Sequence, residues 1–349
     1  VPTMRARRPA ALLAVSLSVA LGLAACGGSS SGDPGPGDSG KAELTLYNAQ
    51  HEDLMQLMVN GFEKKTGISV QMRNGDDFEM ANQLVQEGDK TPADVFVTEN
   101  SPAMTLVASK GGFSTVDKGT LGNVPSTFVP SDHRWVGFAG RSTVLAWNTQ
   151  QLKAADLPTS ILDLAQPKWK GKVGFSPSGA DFQAIVSAVL KQEGAAKTEA
   201  WLKGLKTNGK IYDGNSTVMK AVNSGEIQVG VIYHYYWFKD QAESGANSNH
   251  VQLKYFGHQD PGAFFSISGA GVLKASKHQQ EAQEFVAYLT SPAGQKILAE
   301  SAAMEYPLNP KVAPNPKLKP INELDAPTID PSTLNGPKVV ELMQQAGLL

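Results

Sequence analysis

From residue 43 onward, short β-rich runs alternate with amphipathic helical runs, and this alternation confines the chain to an α/β fold with a mainly parallel sheet. Residues 43–48 (ELTLYN) read as a first strand. Leu54, Leu57, Met58 and Phe62 then recur at helical spacing, and Gly67 closes that helix. Residues 68–72 are strand-like, 78–86 helical, and 94–98 (DVFVT) a short apolar strand. Ser101-Pro102 supplies an N-cap and a first-turn proline for a helix ending at Gly111-Gly112. The middle of the chain repeats the pattern, with strands at 172–176 and 227–233. Its helices open at Ser178-Gly179-Ala180 and run over 197–206 and 216–222. After the sharp Asp260-Pro261-Gly262 turn come a strand over 264–268 and helices over 280–289 and 292–301. No repeat of fixed period is visible. At 349 residues with 41% hydrophobic content, the pattern predicts two α/β lobes with the chain crossing between them.

The start of the chain is different. Arg5, Arg7 and Arg8 precede 16 uncharged residues, 10–25, too few for the roughly 20 that a spanning helix needs, so the run reads as an export signal whose true start is Met4. It ends in Leu23-Ala24-Ala25-Cys26, which resembles a bacterial lipoprotein signal, with Cys26 the lipidated new N-terminus. Residues 27–40 (GGSSSGDPGPGDSG) contain nothing to bury and read as a tether. The expected organisation is therefore a leader over 1–25 and a lipidated cysteine with tether over 26–42. The folded body then lies outside the cytoplasmic membrane, anchored to it by lipid.

Charge and cysteine content remove several functions. The balance of 31 basic against 33 acidic residues, and 28 against 33 once residues 1–25 are gone, disfavours a nucleic-acid binder. A single cysteine excludes an internal disulfide framework and any cysteine-cluster metal site. Residues 204–210 (GLKTNGK) match the glycine and lysine spacing of a P-loop, but Ile211 stands where a hydroxyl is needed and the run follows a helix. His51-Glu52 lacks the second histidine of a zinc-protease helix, and Ser176 and Ser178 miss the nucleophile-elbow spacing. No enzyme is expected.

The run Tyr233-His234-Tyr235-Tyr236-Trp237-Phe238 stands out in a chain with 7% aromatic residues. It reads either as a packed cluster or as a pair of phenols aimed at one ligand where a strand ends, since along a regular strand neighbouring side chains alternate in direction. A phenol with a pKa of about 10 becomes an anion at neutral pH only when a highly charged cation displaces its proton. Ferric iron does this far more readily than zinc or calcium. His51 and Glu99 close the first and third strands, on the sheet edge where α/β proteins bind ligands.

The segments Tyr47-Asn48-Ala49-Gln50-His51, Pro92-Ala93-Asp94-Val95-Phe96-Val97-Thr98-Glu99, Gly140-Arg141-Ser142, Pro167-Lys168-Trp169-Lys170, Tyr235-Tyr236-Trp237, Asp260-Pro261-Gly262-Ala263 and Glu305-Tyr306-Pro307-Leu308-Asn309-Pro310 resemble, in order through 43–349, the bacterial ferric-ion-binding proteins. The resemblance implies a two-lobed type II periplasmic-binding-protein fold with a hinged ligand cleft. It divides the chain into an N-terminal lobe, 43–141 plus about 266–316, and a C-terminal lobe, 142–265 plus about 317–349. It implies ferric iron (Fe3+) as transported ligand, held by His51, Glu99, Tyr235 and Tyr236. It also implies a synergistic anion such as phosphate or carbonate, held by Asn100, Ser178, Gly179, Ala180 and Asn215 at a helix start. The protein would act as a monomer and deliver its cargo to an ABC permease. The same scaffold binding an organic or phosphorylated solute is the alternative.

Two positions depart from the family pattern: Asn100 replaces the usual glutamine, and Tyr233 the usual asparagine before the tyrosine pair. Tyr233, His234 and Arg141 are therefore further candidates for cleft contacts, and Tyr233 or His234 could stand in for an anion contact or compete as a ligand. His51 as an outer-sphere group and Glu99 as a solvated helix-start charge remain open.

Overall fold

A computed structural model describes residues 43–349; the leader, Cys26 and the tether lie outside the described residues. The chain begins with strand β1 (Glu43–Ala49), helix α1 (Glu52–Thr66), β2 (Ser69–Asn74), α2 (Asp77–Glu87), β3 (Val95–Thr98), α3 (Ser101–Ser109), the short α4 (Lys118–Leu121) and the long β4 (Val136–Asn148). It continues through β5 (Val173–Phe175), α5 (Ala180–Glu193), α6 (Ala195–Asn208), β6 (Gly209–Ile211), α7 (Asn215–Asn223), β7 (Val229–Tyr233), α8 (His234–Glu243) and β8 (Val251–Lys254). It closes with β9 (Phe265–Val272), α9 (Gln279–Thr290), α10 (Pro292–Glu300), β10 (Tyr306–Pro307) and α11 (Gly336–Gln345).

The first helix shows how local sequence sets these elements. Leu54, Met55, Met58, Val59 and Phe62 are buried along one stripe, and Leu57, expected on that stripe, is 49% exposed. Acids occupy its first turn and lysines its last, matching the helix dipole. Gly67 ends it at φ 76°, a left-handed conformation that glycine adopts without a Cβ clash, and its N–H returns to the Glu63 carbonyl at 2.7 Å. In α3 the cap is Asn100 rather than Ser101, whose hydroxyl donates to the Ile267 carbonyl at 2.9 Å.

The sheet is mixed, not mainly parallel. β1 pairs in parallel with β2 and β3, and β5 with β6 and β7, so each half is a parallel α/β unit. Two long antiparallel strands join the halves in the order β2-β1-β3-β9-β4-β7-β5-β6. β4 pairs with β9 from Val136 to Ser142, then with β7 and β8 from Thr143 to Asn148. Every residue of β4 is buried. One core packs Leu46, Phe62, Phe96, Trp135, Phe138 and Phe285; others pack Leu145, Val173, Phe182, Trp201 and Leu342, and Val144 with Val218 and Ile232. The result is the two-lobed type II periplasmic-binding-protein fold.

Candidate metal centre

Each candidate side chain stands where a strand gives way to a helix. His51 caps α1 after β1, and Glu99 and Asn100 lie between β3 and α3. Tyr233 caps α8, which starts at His234, so Tyr235 and Tyr236 sit in a helix's first turn rather than at an irregular bend. Their rings stack with centroids 4.2 Å apart. Gly179 caps α5, and Asn215 opens α7. The arrangement gathers several free helix N-termini, which favour negative charge, at one spot.

His51, Glu99, Tyr235 and Tyr236 come together, joined by one acid the sequence reading missed. The Tyr235 hydroxyl donates to Glu99 Oε1 at 2.9 Å, and His51 Nε2 lies 3.6 Å from that same oxygen. Asp181, in the first turn of α5, completes the group: its Oδ2 lies 3.1 Å from the Tyr236 hydroxyl and 3.4 Å from that of Tyr235. Around a six-coordinate ion with bonds of about 2.0–2.1 Å, adjacent donors stand about 3 Å apart. Spacings of 2.9–3.6 Å between these five side chains suit one small, hard cation. Among the described residues no group of three His, Cys, Asp or Glu side chains is set by itself to hold a metal.

Asp181 changes the expected anion site. Asn100 Nδ2 donates to its Oδ1 at 3.0 Å and Asn215 Nδ2 to its Oδ2 at 2.8 Å. The two amides expected to hold a free anion are therefore occupied by a carboxylate of the chain itself. Gly179 and Ala180 form the cap and first residue of α5, and exposed Ser178 lines with Ala180 a separate cavity of about 550 Å³ beside Phe78 and Gly336. Tyr233 is a support: its hydroxyl and that of Ser266 donate to Asn100 Oδ1 at 3.4 and 2.9 Å, turning the Asn100 amide nitrogen toward Asp181. His234 is a structural clamp. Its Nδ1 accepts from the Ser142 amide at 3.1 Å and its Nε2–H donates to the Met304 carbonyl at 2.9 Å, so the fully buried ring has no nitrogen left for a metal.

Behind the group, buried Arg141 donates to Glu305 Oε2 at 2.7 Å, to Ser268 at 2.7 Å and to the Glu99 carbonyl. Glu305 also contacts His51 Nδ1 at 3.2 Å and Gln50 Nε2 at 3.3 Å. Burial opposes both charges, but each ion stabilises the other: Arg141 is held protonated, and Glu305 is held down at about 2. Buried Asp77 accepts the Glu99 and Asn100 amides at 2.8 and 2.9 Å and fixes the turn that carries them. Burial, and then the charges of Asp181 and Glu99, raise the Tyr235 and Tyr236 phenols. Burial and the Glu99 charge likewise raise Asp181. Burial and neighbouring charge thus make the two phenols and Asp181 hold their protons more tightly than such groups do in water.

A family model described as bacterial extracellular solute-binding protein matches residues 90–328. A relative from Serratia marcescens, named an Fe(3+)-binding periplasmic protein, is 55% identical over 98% of this chain and 97% of its own length. The major ferric iron-binding protein of Neisseria meningitidis is 38% identical over 88% of this chain and 93% of its own. The crystal structure of iron-bound HitA from Pseudomonas aeruginosa superposes with a TM-score of 0.83 at 42% identity, covering 88% of this chain and all of that one.

Proposed function

The chain belongs to the bacterial extracellular solute-binding proteins, and on that premise we propose that it captures ferric iron between its lobes and delivers it to the permease of an ABC transporter. The observation that carries this reading is the convergence of two phenols, two carboxylates and one imidazole from both parallel halves of the fold, with polar atoms 2.9–3.6 Å apart. Deprotonated, the four acids offer four negative charges to a 3+ ion. The neighbouring Arg141, 3.9 Å from Glu99 Oε1, is already paired with Glu305, so the site keeps a surplus of negative charge. The relatives named for ferric iron point the same way.

The direct ligands in this proposal are His51, Glu99, Asp181, Tyr235 and Tyr236. Asp181 takes the place of the external phosphate or carbonate, because Asn100 and Asn215 already grip its carboxylate. An additional anion would bring more negative charge to a site that already has a surplus. The same electrostatics argue against a phosphorylated solute: the cation nearest the cleft, Arg141, is committed to Glu305.

The two lobes, 43–141 with about 266–316 and 142–265 with about 317–349, would rotate about the antiparallel strands that join them and close on the ion. Nothing in this cycle requires a chemical transformation of the cargo. The protein would work as a monomer outside the cytoplasmic membrane, tethered through a lipid on Cys26. The test is the visible spectrum of the purified protein. Ferric iron should produce a phenolate-to-iron charge-transfer band that zinc and calcium do not; no band, with unperturbed tyrosine absorption, would remove iron as the cargo.

A further inference from the structure

Glu305 lies far along the chain from the metal-binding candidates, has no exposed side-chain surface, and makes no hydrogen bond to Tyr235, Tyr236 or Asp181. Its contacts are to Arg141, Gln50 and the Nδ1 of His51. A carboxylate accepts hydrogen bonds and donates none, so the Nδ1 facing it must carry the ring proton. The other nitrogen, Nε2, points to Glu99 Oε1 in the cleft.

We propose that Glu305 is a positioning residue for the metal centre: its carboxylate holds the proton of His51 on Nδ1, so that Nε2 meets the ion as a free lone pair. The inference rests on the iron-binding reading above. Free imidazole in water favours the opposite tautomer, with the proton on Nε2. That form would place a hydrogen where the ion must bind, and the ring would have to rearrange first. Carboxylate partners of this kind orient metal-binding histidines generally, and their loss costs about 10–100-fold in affinity. Here the carboxylate is itself fixed. Arg141 binds it at 2.7 Å and also binds the Glu99 carbonyl, so one guanidinium ties the His51 partner to the strand end that carries Glu99. Gln50 adds a second tie, with Nε2 on Glu305 and Oε1 accepting the His51 amide at 2.7 Å. The histidine and the glutamate are thereby set in register before the second lobe arrives.

Two measurements test this. The first uses the wild-type, iron-free protein at alkaline pH, where the imidazole is neutral: long-range proton–nitrogen NMR of His51 should show the proton on Nδ1. A proton on Nε2 overturns the proposal without any variant having to fold, and whether or not iron is the cargo. The second is a double-mutant cycle on iron affinity. Glu305→Gln should weaken binding about 10–100-fold in the wild-type background and less than about 2-fold when His51→Ala is already present, because its effect passes through the imidazole. Equal losses in both backgrounds would mean that Glu305 acts only on the fold, and would overturn it. Absence of iron binding by the wild type would instead strike at the function proposed above and leave the tautomer result standing.

Discussion

The Tyr235 hydroxyl, in the helix after β7, and Glu99 Oε1, just past β3, are 2.9 Å apart, joined by a hydrogen bond between the two parallel halves of the fold. In the proposed site a cation entering there would displace the shared proton and take both oxygens, so that closure and metal binding would be one event. Replacing either tyrosine by phenylalanine keeps the ring and its packing and deletes the oxygen. Tyr235→Phe and Tyr236→Phe should each bleach or shift the charge-transfer band. Each should also weaken iron binding by more than the roughly 10–100-fold of a lost outer partner, while His51→Ala should cost less. Wild-type colour and affinity in both tyrosine variants would mean that the phenols are only core.

Asp181 makes the opposite prediction about phosphate from an open anion site. Wild-type affinity for iron should be the same with and without phosphate. Asp181→Ala frees the Asn100 and Asn215 amides, and this variant should bind iron weakly without phosphate and recover part of the loss as phosphate is added. A wild type that needs phosphate would return the anion to the site.

Acid should release the iron, and steeply. The raised Tyr235 and Tyr236 phenols are protonated in the iron-free protein, so binding expels at least two protons, and raised Asp181 and His51 can add to these. Affinity therefore rises with pH and falls as protons compete, with a slope of two or more decades per pH unit. A pH titration of the visible band would show it; a slope of one would leave a single titrating ligand. Glu305 adds a separate effect in the iron-free protein. Its carboxyl is lowered from 4.5 to about 2, so the stability it contributes is complete above 4.5 and disappears as pH falls through about 2. Glu305→Gln should flatten the acid limb of the unfolding curve.

The proposed anchor concerns Cys26. Cys26→Ser should release the protein from the membrane fraction or leave it as an uncleaved precursor. Normal processing with continued membrane attachment would refute lipidation there.

What the sequence disclosed about the site follows from where each residue stands. His51, Glu99 and the tyrosine pair are legible because each lies just past the end of a recognisable strand, and strand ends share one edge of the sheet. Asp181 was missed for a physical reason: an acid in a helix's first turn is ordinary, and its role depends on Asn100, 81 residues away. Glu305 appeared within the Glu305-Tyr306-Pro307 run without a role, because only the fold brings it to His51. β4 escaped for another reason. Its thirteen residues are buried on both faces, so they show no alternation, and Gly137, Gly140, Arg141 and Ser142 break the apolar run that would have marked it. Without β4, the antiparallel centre of the sheet was read as parallel. α11 was passed over as well, in a proline-rich tail whose periodicity starts only after Asn335.

Because β4 is hydrogen-bonded to β9 at one end and to β7 and β8 at the other, and lends side chains to all three cores described above, none of them can be completed without it. Cutting the chain between Arg141 and Ser142 would give two fragments that each lack part of a central strand, rather than two domains. The whole body should then melt in a single transition, with the amides of β4 exchanging with solvent only when both lobes unfold together. If the proposed lobes do rotate about these strands, the receptor would bend about a segment that both halves of its sheet share.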